Sequence, residues 1–272
     1  MSLRKTLKKW LYSYTPGLAG RFPYCGTKVY FPPDAFIFDI VVREGIYEQQ
    51  LLKHILGVIQ PGTWYFDVGS NIGLMSVPIL QNKPDVRVLS FEPSPNSKSF
   101  LQQTWSHSPW KDRWKVSDHA VGDHVGEVQF TVSATRFAGY DGIRNTGRAP
   151  QAGVANVPLT TLDVEWKALG SPAVSCMKLD MEGAEALALT GASELIRTAR
   201  PYIFVEWYAE NLESFGCDAD FLLKFAQEYR YDAVAVPTLT PIASLPILLM
   251  NMRVTSAFVL VPRSPSPATI PG

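Results

Sequence analysis

The chain has 272 residues, of which 46% are hydrophobic and 18% are charged, so its composition is that of a globular protein and excludes a disordered one. Its 25 basic and 25 acidic side chains cancel, and net charge therefore gives no argument for a polyanionic partner. Three cysteines at wide spacing, without a Cys-x-x-Cys pair, argue against both a disulfide framework and a zinc knuckle.

Charge is distributed unevenly along the chain. The first 33 residues hold six basic residues and no acidic one, which leaves 19 basic and 25 acidic residues in the rest of the chain. Residues 3–14 place apolar side chains at helical spacing with basic side chains between them, which predicts an amphipathic helix. Such a helix can make a weak peripheral contact with an anionic membrane, or it can dock on the rest of its own chain.

Targeting signals are absent from the sequence pattern. The N-terminus lacks the unbroken apolar stretch and small-residue cleavage site of a secretion signal. No apolar run approaches the ~18 residues that a membrane-spanning helix needs. We therefore expect a cytoplasmic protein.

Apolar runs of strand length alternate with helical stretches from residue 63 onward. The expected strands lie at 63–68, 87–92, 114–119, 175–180, 201–206, 232–236 and 256–261. The expected helices lie at 49–59, 74–81, 96–105, 184–196 and 219–229, and the second of them contains Pro78, which should disturb it. Near-continuous apolar strands separated by helices predict a Rossmann-like, doubly wound α/β fold with a mostly parallel sheet.

The chain is expected to divide into three regions. A basic N-terminal extension at 1–60 should pack as a cap on a main domain at 61–262, and a proline-rich tail at 263–272 should be flexible. Residues 123–161 interrupt the main domain with a hairpin pattern followed by a polar loop. An insertion of this kind is typical of a lid or a substrate wall.

Residues 66–73 (Phe-Asp-Val-Gly-Ser-Asn-Ile-Gly) join a buried strand to a helix through a glycine turn. This junction places backbone N–H groups and the positive end of a helix dipole at the carboxyl edge of the strand. Gly69 allows the sharp turn, and Gly73 allows close packing of the helix on the sheet. Asn71 stands where a dinucleotide fingerprint needs a glycine, which argues against a pyrophosphate ligand.

Two acidic residues end neighbouring strands at this edge. Asp67 would repel a diphosphate but suits an ammonium group, and Glu92, 19 residues after Gly73, can accept both hydroxyls of a ribose. An amino acid joined to an adenosine ribose without a phosphate describes S-adenosyl-L-methionine. The alternative is that Asp67 only caps the helix of an ordinary strand–turn–helix junction.

Four segments of the chain form a recognisable set. They are residues 45–48 (GIYE), 66–73 with 91–93 (FEP), 161–163 (TLD), and 178–185 (KLDMEGAE) with Gly191. This set resembles the FkbM family of class I S-adenosylmethionine-dependent methyltransferases. The resemblance implies a seven-stranded sheet whose last strand is antiparallel, and O-methylation of a hydroxyl on a sugar, a glycan or a natural product.

The resemblance also implies positions that bind the cofactor. These are Asp67, Gly69, Ser70, Asn71, Gly73, Glu92 and Pro93, with Asp118 or His119 beside the adenine. Tyr47 and Glu48, ahead of the main domain, are expected to pack over the cofactor as a cap, and the alternative is that they only begin a helix.

Methyl transfer to a hydroxyl requires alignment, exclusion of water and a base for the departing proton. Asp180 and Glu182 follow one core strand and Glu206 ends the next, at the edge where the cofactor is expected. Burial and like charge should raise their pKa values, so Asp180 is the first candidate for the base, Glu206 the second and His119 an alternative. Asp180 and Glu182 could instead cap the following helix.

A carboxylate cluster of this kind could also hold Mg²⁺, but without a third fixed ligand the sequence assigns no metal site. The acceptor wall is expected to contain Trp207, Tyr208 and residues 136–148, including Phe137, Tyr140 and Arg144, because aromatic faces stack on sugars. We expect a small-molecule or glycan acceptor.

Three other functions are alternatives to an O-methyltransferase. A nucleic-acid methyltransferase is disfavoured because the body of the chain is net acidic and lacks an Asn/Asp-Pro-Pro-aromatic string after the fourth core strand. An NAD-dependent oxidoreductase would share the ribose-binding acid but needs a different glycine spacing. A protein that binds S-adenosylmethionine without turnover remains an alternative.

Overall fold

The computed structural model describes residues 20–32 and 34–263. The amphipathic helix predicted at 3–14 lies outside the described residues, as does the tail predicted at 263–272 apart from Arg263. Among the described helices, none combines the length and the apolarity needed to cross a bilayer.

A central sheet of eight strands organises the chain. In the described residues the strands are β1 (Arg21–Tyr24), β2 (Thr27–Tyr30), β3 (Trp64–Val68), β4 (Arg87–Phe91), β5 (Trp114–Ser117), β6 (Ala120–Val121), β7 (Gly126–Ser133), β8 (Gln151–Thr160), β9 (Val174–Leu179), β10 (Tyr202–Glu206), β11 (Tyr231–Ala235), β12 (Thr240–Pro241) and β13 (Ala257–Pro262). The central sheet has the spatial order β12-β11-β13-β10-β9-β3-β4-β5.

Strand direction agrees with the predicted fold class. Strands β5, β4, β3, β9 and β10 pair in parallel, whereas β13 runs antiparallel to both β10 and β11. The mostly parallel sheet and the antiparallel last strand are thus confirmed. The sheet has eight strands where seven were expected, because the two-residue strand β12 pairs with the edge of β11.

Helices cover the faces of this sheet. They are α1 (Phe36–Glu44), α2 (Gln49–Val58), α3 (Ser76–Asn82), α4 (Lys98–Ser106), α5 (Leu162–Ala168), α6 (Glu185–Thr190), α7 (Ser193–Ala199), α8 (Ala209–Phe215), α9 (Phe221–Tyr229) and α10 (Leu245–Asn251). Pro78 is the third residue of α3. It is tolerated there because the first N–H groups of a helix have no intrahelical partner.

One predicted helix is wrong in its extent. The stretch 184–196 forms two helices, α6 and α7, which are separated at Gly191 and Ala192. A Cβ atom at Gly191 would lie 2.1 Å from the carbonyl oxygen of Gly122, so the break is pressed against the chain that follows β6. The interruption therefore comes from a tertiary contact that helical periodicity does not report.

The insertion forms its own small sheet beside the central one. Strand β7 pairs antiparallel with β8, and β6 pairs parallel with β8. Between β7 and β8 the chain forms a 3-10 helix (Thr135–Tyr140) and a loop that returns to the carboxyl edge of the central sheet. The insertion thus becomes a wall next to the expected site.

The N-terminal region packs on one face of the central sheet. Phe22, Val29 and Ile55 share a buried cluster with Tyr65 of β3 and other strand residues. The Tyr24 hydroxyl donates to the Leu74 carbonyl at 3.1 Å and accepts a bond from the Tyr47 N–H at 3.2 Å. These two bonds tie the region before the main domain to the first strand–helix junction.

Candidate functional site

The turn after β3 is the most constrained part of the site. Gly69 has φ +78°, and a Cβ atom there would lie 1.8 Å from the carbonyl oxygen of Asp180. Because this neighbour is backbone, a side chain at Gly69 cannot be accommodated without moving β3 or β9. The same turn holds Asn71 in the left-handed region (φ 50°), and the Gly73 N–H donates to the Ser70 carbonyl at 2.8 Å.

Glu92 lies directly after β4 and faces this turn. Its carboxylate accepts the Asn71 N–H at 2.7 Å and the Ser94 N–H at 2.8 Å, and the residue is 5% exposed. Burial raises the pKa of Glu92 to about 8, although both backbone donors oppose the rise. The carboxylate is therefore fixed in orientation at the strand end, with free lone pairs for a further donor.

Asp67 is fully buried at the carboxyl end of β3. It accepts hydrogen bonds from the Ser76 hydroxyl and, at 3.4 Å, from the Tyr65 hydroxyl. Burial raises the pKa of Asp67, and the ammonium of Lys178 opposes that rise. Asp67 therefore does not act as the N-cap of α3, and both its oxygens already have internal partners.

A cleft opens at this junction. Its lining includes the turn residues Gly69, Ser70 and Asn71, together with Glu92 and Pro93. Tyr47 closes one side of the cleft. We call this space the cofactor cleft, because most of the predicted cofactor-binding residues line it; Gly73 and Glu48 do not, and Gly73 faces Leu101 and Trp114 instead.

The insertion supplies the opposite wall of the cofactor cleft. Asp141 lines the cleft and is 8% exposed. Its carboxylate accepts the Ser133 N–H at 2.6 Å and the Asn96 side-chain amide at 3.0 Å, and it also accepts the Ser94 hydroxyl. Asp141 thus anchors the insertion to the segment that follows Glu92.

The two candidates for the adenine end differ in position. His119 lines the cofactor cleft, with its ring nitrogen 3.2 Å from the Ser117 hydroxyl. Asp118 lies outside that lining; its side chain is 46% exposed and lies 3.8 Å from the ammonium of Lys98. The lining of the cleft therefore favours His119.

A second cleft adjoins the cofactor cleft, and we call it the acceptor cleft. The two share Asn71, Asp180 and Glu182 in their linings. The acceptor cleft additionally contains Glu48, Glu206, Phe137, Tyr140, Arg136 and Arg148. Three carboxylates from the ends of two core strands thus face a space walled by the insertion.

Arg148, which belongs to the insertion, is the cation of the acceptor cleft nearest these carboxylates. Its Nη1 lies 2.7 Å from Glu182 Oε2 and 3.9 Å from Glu206 Oε2. The rings of Tyr140 and Tyr208 lie over its guanidinium at 4.6 and 4.8 Å. These contacts fasten the loop of the insertion across the end of β9 and β10.

Burial dominates the ionisation of this cluster. It raises the pKa of Glu182 to about 8, with repulsion from Asp180 adding to the rise and Arg148 opposing it. Burial, followed by repulsion from Asp180 and Glu182, raises the pKa of Glu206 well above its usual value. The protonated form of Glu206 is therefore favoured relative to an exposed glutamate.

Asp180 has a different partner. Its Oδ2 lies 2.6 Å from the ammonium nitrogen of Lys178, two residues earlier on the same strand. Lys178 is 4% exposed, and its Nζ also lies 3.9 Å from Glu48 Oε2. A buried cation therefore stands between the cofactor cleft and the acids of the acceptor cleft.

Comparison with known proteins identifies the chain. The model of the methyltransferase FkbM domain matches residues 67–233, which is more than half of the chain. The chain belongs to this family. The match contains Gly69, Glu92, the insertion and the carboxylate cluster, whereas the part of the cleft linings at residues 32–48 precedes it.

Individual relatives are distant. A ribosomal RNA small subunit methyltransferase G from Mycolicibacterium vanbaalenii is 31% identical over 90 residues, and that match covers 30% of this chain and 40% of the relative. The chain thus spans less than half of the length of the curated relatives that it matches.

The solved structures that match are also distant in sequence. A methyltransferase FkbM from Methylobacillus flagellatus is 14% identical, covering 83% of this chain and 52% of that chain with a TM-score of 0.46. A Podospora anserina methyltransferase with bound S-adenosylhomocysteine is 10% identical, covering 97% and 98% with a TM-score of 0.44. Membership of the family rests on the domain match alone.

The FkbM-domain carboxylates do not fit a magnesium ion as they stand. One oxygen each from Asp180, Glu182 and Glu206 lies within 4.8 Å of the others, and carboxylate oxygens are ligands that Mg²⁺ accepts. The guanidinium of Arg148 already lies against two of these three groups. The positive charge at this cluster is therefore supplied by the protein itself.

Three expectations about the FkbM-domain site need correction. Tyr208 lies outside the lining of the acceptor cleft, where its ring contacts Arg148. Trp207 is not part of the acceptor wall; it is fully buried and its indole N–H donates to the Ala219 carbonyl at 3.0 Å. Arg144 donates to the Ser214 carbonyl at 2.9 Å and lies outside the acceptor cleft. Tyr140 and Phe137 do line that cleft, as expected.

Capping is also excluded as the role of the acids before α6. Ala184 occupies the N-cap position of that helix and receives no side-chain bond. The carboxylate that accepts the free N–H groups there, those of Met181 and Gly183, belongs to Glu185. Asp180 and Glu182 bind Lys178 and Arg148 instead.

Sequence reasoning included Lys178, Arg148 and Asp141 in wider segments but gave none of them a role of its own. Lys178 could have been found, because residues two apart on a strand share a face and Asp180 was already a candidate. Arg148 and Asp141 meet partners 34 and 47 residues away in sequence, through an insertion whose path no local pattern fixes.

Proposed function

We propose that this protein is an S-adenosylmethionine-dependent O-methyltransferase that acts on a hydroxyl group of a sugar, a glycan or a natural product. The observation that carries the proposal is the pair of adjoining clefts, which share Asn71, Asp180 and Glu182. One cleft has acids suited to a nucleoside joined to an amino acid, and the other has carboxylates suited to accepting a hydroxyl proton.

The residues of the cofactor cleft suit S-adenosylmethionine. Glu92 offers a carboxylate for the ribose hydroxyls, and Gly69 leaves room for a close approach where any side chain would meet Asp180. His119 and the insertion wall would enclose the adenine, and Tyr47 would cover the amino acid. When bound, the cofactor supplies a methyl group on a sulfonium that is ready for transfer.

Asp180 is the best-placed proton acceptor. It lines both clefts, whereas Glu206 lines the acceptor cleft and His119 the cofactor cleft. Its Oδ2 is bonded to Lys178, which leaves Oδ1 to accept a proton from an acceptor hydroxyl. Glu206 is the second candidate, because it lines the acceptor cleft with Asp180 and burial raises its pKa well above the usual value.

The acceptor is proposed to be a small molecule or a glycan. The aromatic rings of Phe137 and Tyr140 offer faces for stacking, and the adjoining carboxylates offer hydrogen-bond acceptors for hydroxyl groups. The matched relatives named as ribosomal RNA methyltransferases raise the alternative of a nucleic-acid substrate. We disfavour it because the chain after residue 33 is net acidic, with 19 basic and 25 acidic side chains. A cytoplasmic location stays a prediction from the sequence.

The test is a methyl-transfer assay that measures release of S-adenosylhomocysteine. Purified protein would be given S-adenosylmethionine with monosaccharides, nucleotide sugars and phenolic natural products, and with RNA in parallel. We expect turnover with a hydroxylated small molecule or glycan. Turnover with RNA alone, or stabilisation of the protein by NADH and not by S-adenosylhomocysteine, would reject the proposal.

The role of Asp180 is tested by Asp180→Asn, with the exposed Asp232→Asn as control. We expect Asp180→Asn to bind S-adenosylhomocysteine as tightly as the wild type while methyl transfer falls by about 10²–10⁴-fold. Equal loss of turnover in both variants, or no loss in either, would remove Asp180 as the base.

A further inference from the structure

The ammonium of Lys178 is incompletely satisfied. The residue is 4% exposed, and the hydrogen bond recorded for its Nζ in the described part of the chain is the one to Asp180 Oδ2 at 2.6 Å. An ammonium has three N–H donors, so two remain for another acceptor. Among the described residues that line the cofactor cleft, Lys178 is the only lysine or arginine.

Glu48 has a carboxylate oxygen that lacks a hydrogen-bond donor. Its Oε2 is buried and has no hydrogen-bond partner among the described residues. Glu48 takes the N-cap position of α2 with φ 44°, but its carboxylate caps no N–H group there. An unpaired buried carboxylate oxygen is costly, so a donor supplied from outside the protein would be strongly favoured.

The two groups face each other across a short gap. Glu48 Oε2 lies 3.9 Å from Lys178 Nζ, which is too long for a hydrogen bond although the charges attract. Lys178 lines the cofactor cleft, and Glu48 lines the acceptor cleft beside it. Lys178 can therefore donate to a carboxylate, and Glu48 can accept from an ammonium. The pair suits a ligand that carries both groups close together.

We infer that Lys178 binds the α-carboxylate of the cofactor and that Glu48 binds its α-ammonium. The inference rests on the proposed function and adds to it the pair of residues that hold the amino-acid end. It moves the ammonium from Asp67, the partner expected from sequence, to Glu48. Each Asp67 oxygen already accepts a hydroxyl, from Tyr65 or from Ser76, whereas Glu48 Oε2 accepts no hydrogen bond from the described residues.

Charge states suit this assignment. Burial lowers the pKa of Lys178, but Asp180, Glu48 and Asp67 outweigh it, so the ammonium stays protonated. Burial raises the pKa of Glu48 to about 6, with Lys178 opposing the rise, so most of it is ionised at neutral pH. A bound zwitterion would therefore meet one full charge of each sign.

The test is a binding cycle between protein variants and truncated ligands, followed by titration calorimetry. The ligands are S-adenosylhomocysteine, its analogue without the α-carboxylate, and its analogue without the α-amino group. The proteins are the wild type, Lys178→Met, Lys178→Arg and Glu48→Gln, with the exposed Lys167→Met and Glu44→Gln as matched controls.

In the wild type and both controls, we expect removal of the carboxylate to weaken binding by about 10- to 100-fold. In Lys178→Met the same removal should change affinity by less than about threefold, because the partner is gone. In Glu48→Gln, removal of the amino group from the ligand should no longer weaken binding. Removal of the carboxylate should still weaken it as in the wild type. Lys178→Arg, which keeps the charge, should retain most of the carboxylate effect.

The failures are distinguishable. A wild type that binds none of the three ligands would reject the proposed function itself. If S-adenosylhomocysteine binds, but the carboxylate effect is as large in Lys178→Met as in the wild type, the assignment of Lys178 is wrong. If Lys178→Met does not fold, the amino-group effect in Glu48→Gln decides, and an undiminished effect overturns the pairing.

Discussion

Gly69 marks the point where the chain passes closest to its own backbone at the site. Its missing Cβ leaves room for the Asp180 carbonyl, and its positive φ permits the turn that aims Asn71 at Glu92. A single residue therefore couples the spacing of β3 and β9 to the shape of the cofactor cleft. Its role is steric, and it does not depend on the identity of any ligand.

Gly69→Ala should destabilise the protein by about 3 kcal/mol or more, because a Cβ would lie 1.8 Å from a backbone oxygen at an unfavourable φ. Urea denaturation measures the change. The control is Gly57→Ala, an exposed position in α2 with no atom within 4 Å, which should stabilise the protein by about 0.5–1 kcal/mol. Similar stability of the two variants would contradict the close approach.

Glu92 supports a second prediction at the scale of single residues. Glu92→Gln turns one oxygen into an amide nitrogen that must face a backbone N–H donor, at Asn71 or at Ser94. We expect affinity for S-adenosylhomocysteine to fall about 10- to 100-fold in titration calorimetry. The exposed Glu127→Gln should bind as the wild type does. Undiminished binding by Glu92→Gln would exclude the ribose contact.

At the scale of elements, the insertion is held at two ends. Asp141 anchors it to Ser94 and Asn96, beside Glu92, and Arg148 fastens it to the acids at the ends of β9 and β10. Both anchors are charged groups bonded to partners from the central domain. The walls of both clefts therefore depend on polar contacts made by one inserted segment.

Asp141→Asn should loosen this segment. Oδ1 of Asp141 accepts the Ser133 N–H, and Oδ2 accepts the Ser94 hydroxyl and the Asn96 amide. An asparagine at this position places its own N–H₂ group against one of these donors, so a hydrogen bond is lost. We expect a loss of about 1–3 kcal/mol in unfolding free energy and faster hydrogen exchange at residues 134–150. The exposed Asp123→Asn is the control. Unchanged exchange would show that Asp141 is no anchor.

The sequence predicted these elements unevenly, for physical reasons. Strands such as β3 and β4 were located because burial on both faces demands continuous apolar runs, and the first junction because its glycine turn is local. The break between α6 and α7 arises where Gly191 meets Gly122, which periodicity cannot report. The residues of the site divide in the same way. Glu92 and Asp180 could be located because they lie at the ends of predicted strands, whereas the position of Arg148 depends on the path of a loop.

At the scale of the whole molecule, the buried acids make stability depend on pH. Burial raises the pKa of Glu185 to about 7 from an ordinary value of 4.5, and several other acids of the site shift upward too. A carboxyl whose folded pKa exceeds its unfolded pKa stabilises the fold while protonated. That contribution is complete below the unfolded pKa and is lost as pH rises through the folded pKa.

The unfolding free energy should therefore fall as pH rises from about 5 to about 8. Glu185→Gln, which stays neutral and keeps an oxygen for the Met181 N–H, should reduce this fall by about 1–3 kcal/mol. Urea denaturation at several pH values measures the slope, with Glu127→Gln as the control. An equal slope in Glu185→Gln and wild type would mean that Glu185 is ionised in the folded protein throughout this range.

The claim on which the account depends is that the first strand–helix junction holds a nucleoside joined to an amino acid. A crystal structure with S-adenosylhomocysteine tests it most directly. The account predicts the ribose hydroxyls on the Glu92 carboxylate and the amino acid between Gly69 and Lys178. Density for the ligand elsewhere on the protein, or a cofactor cleft that stays empty at saturating ligand, would contradict it.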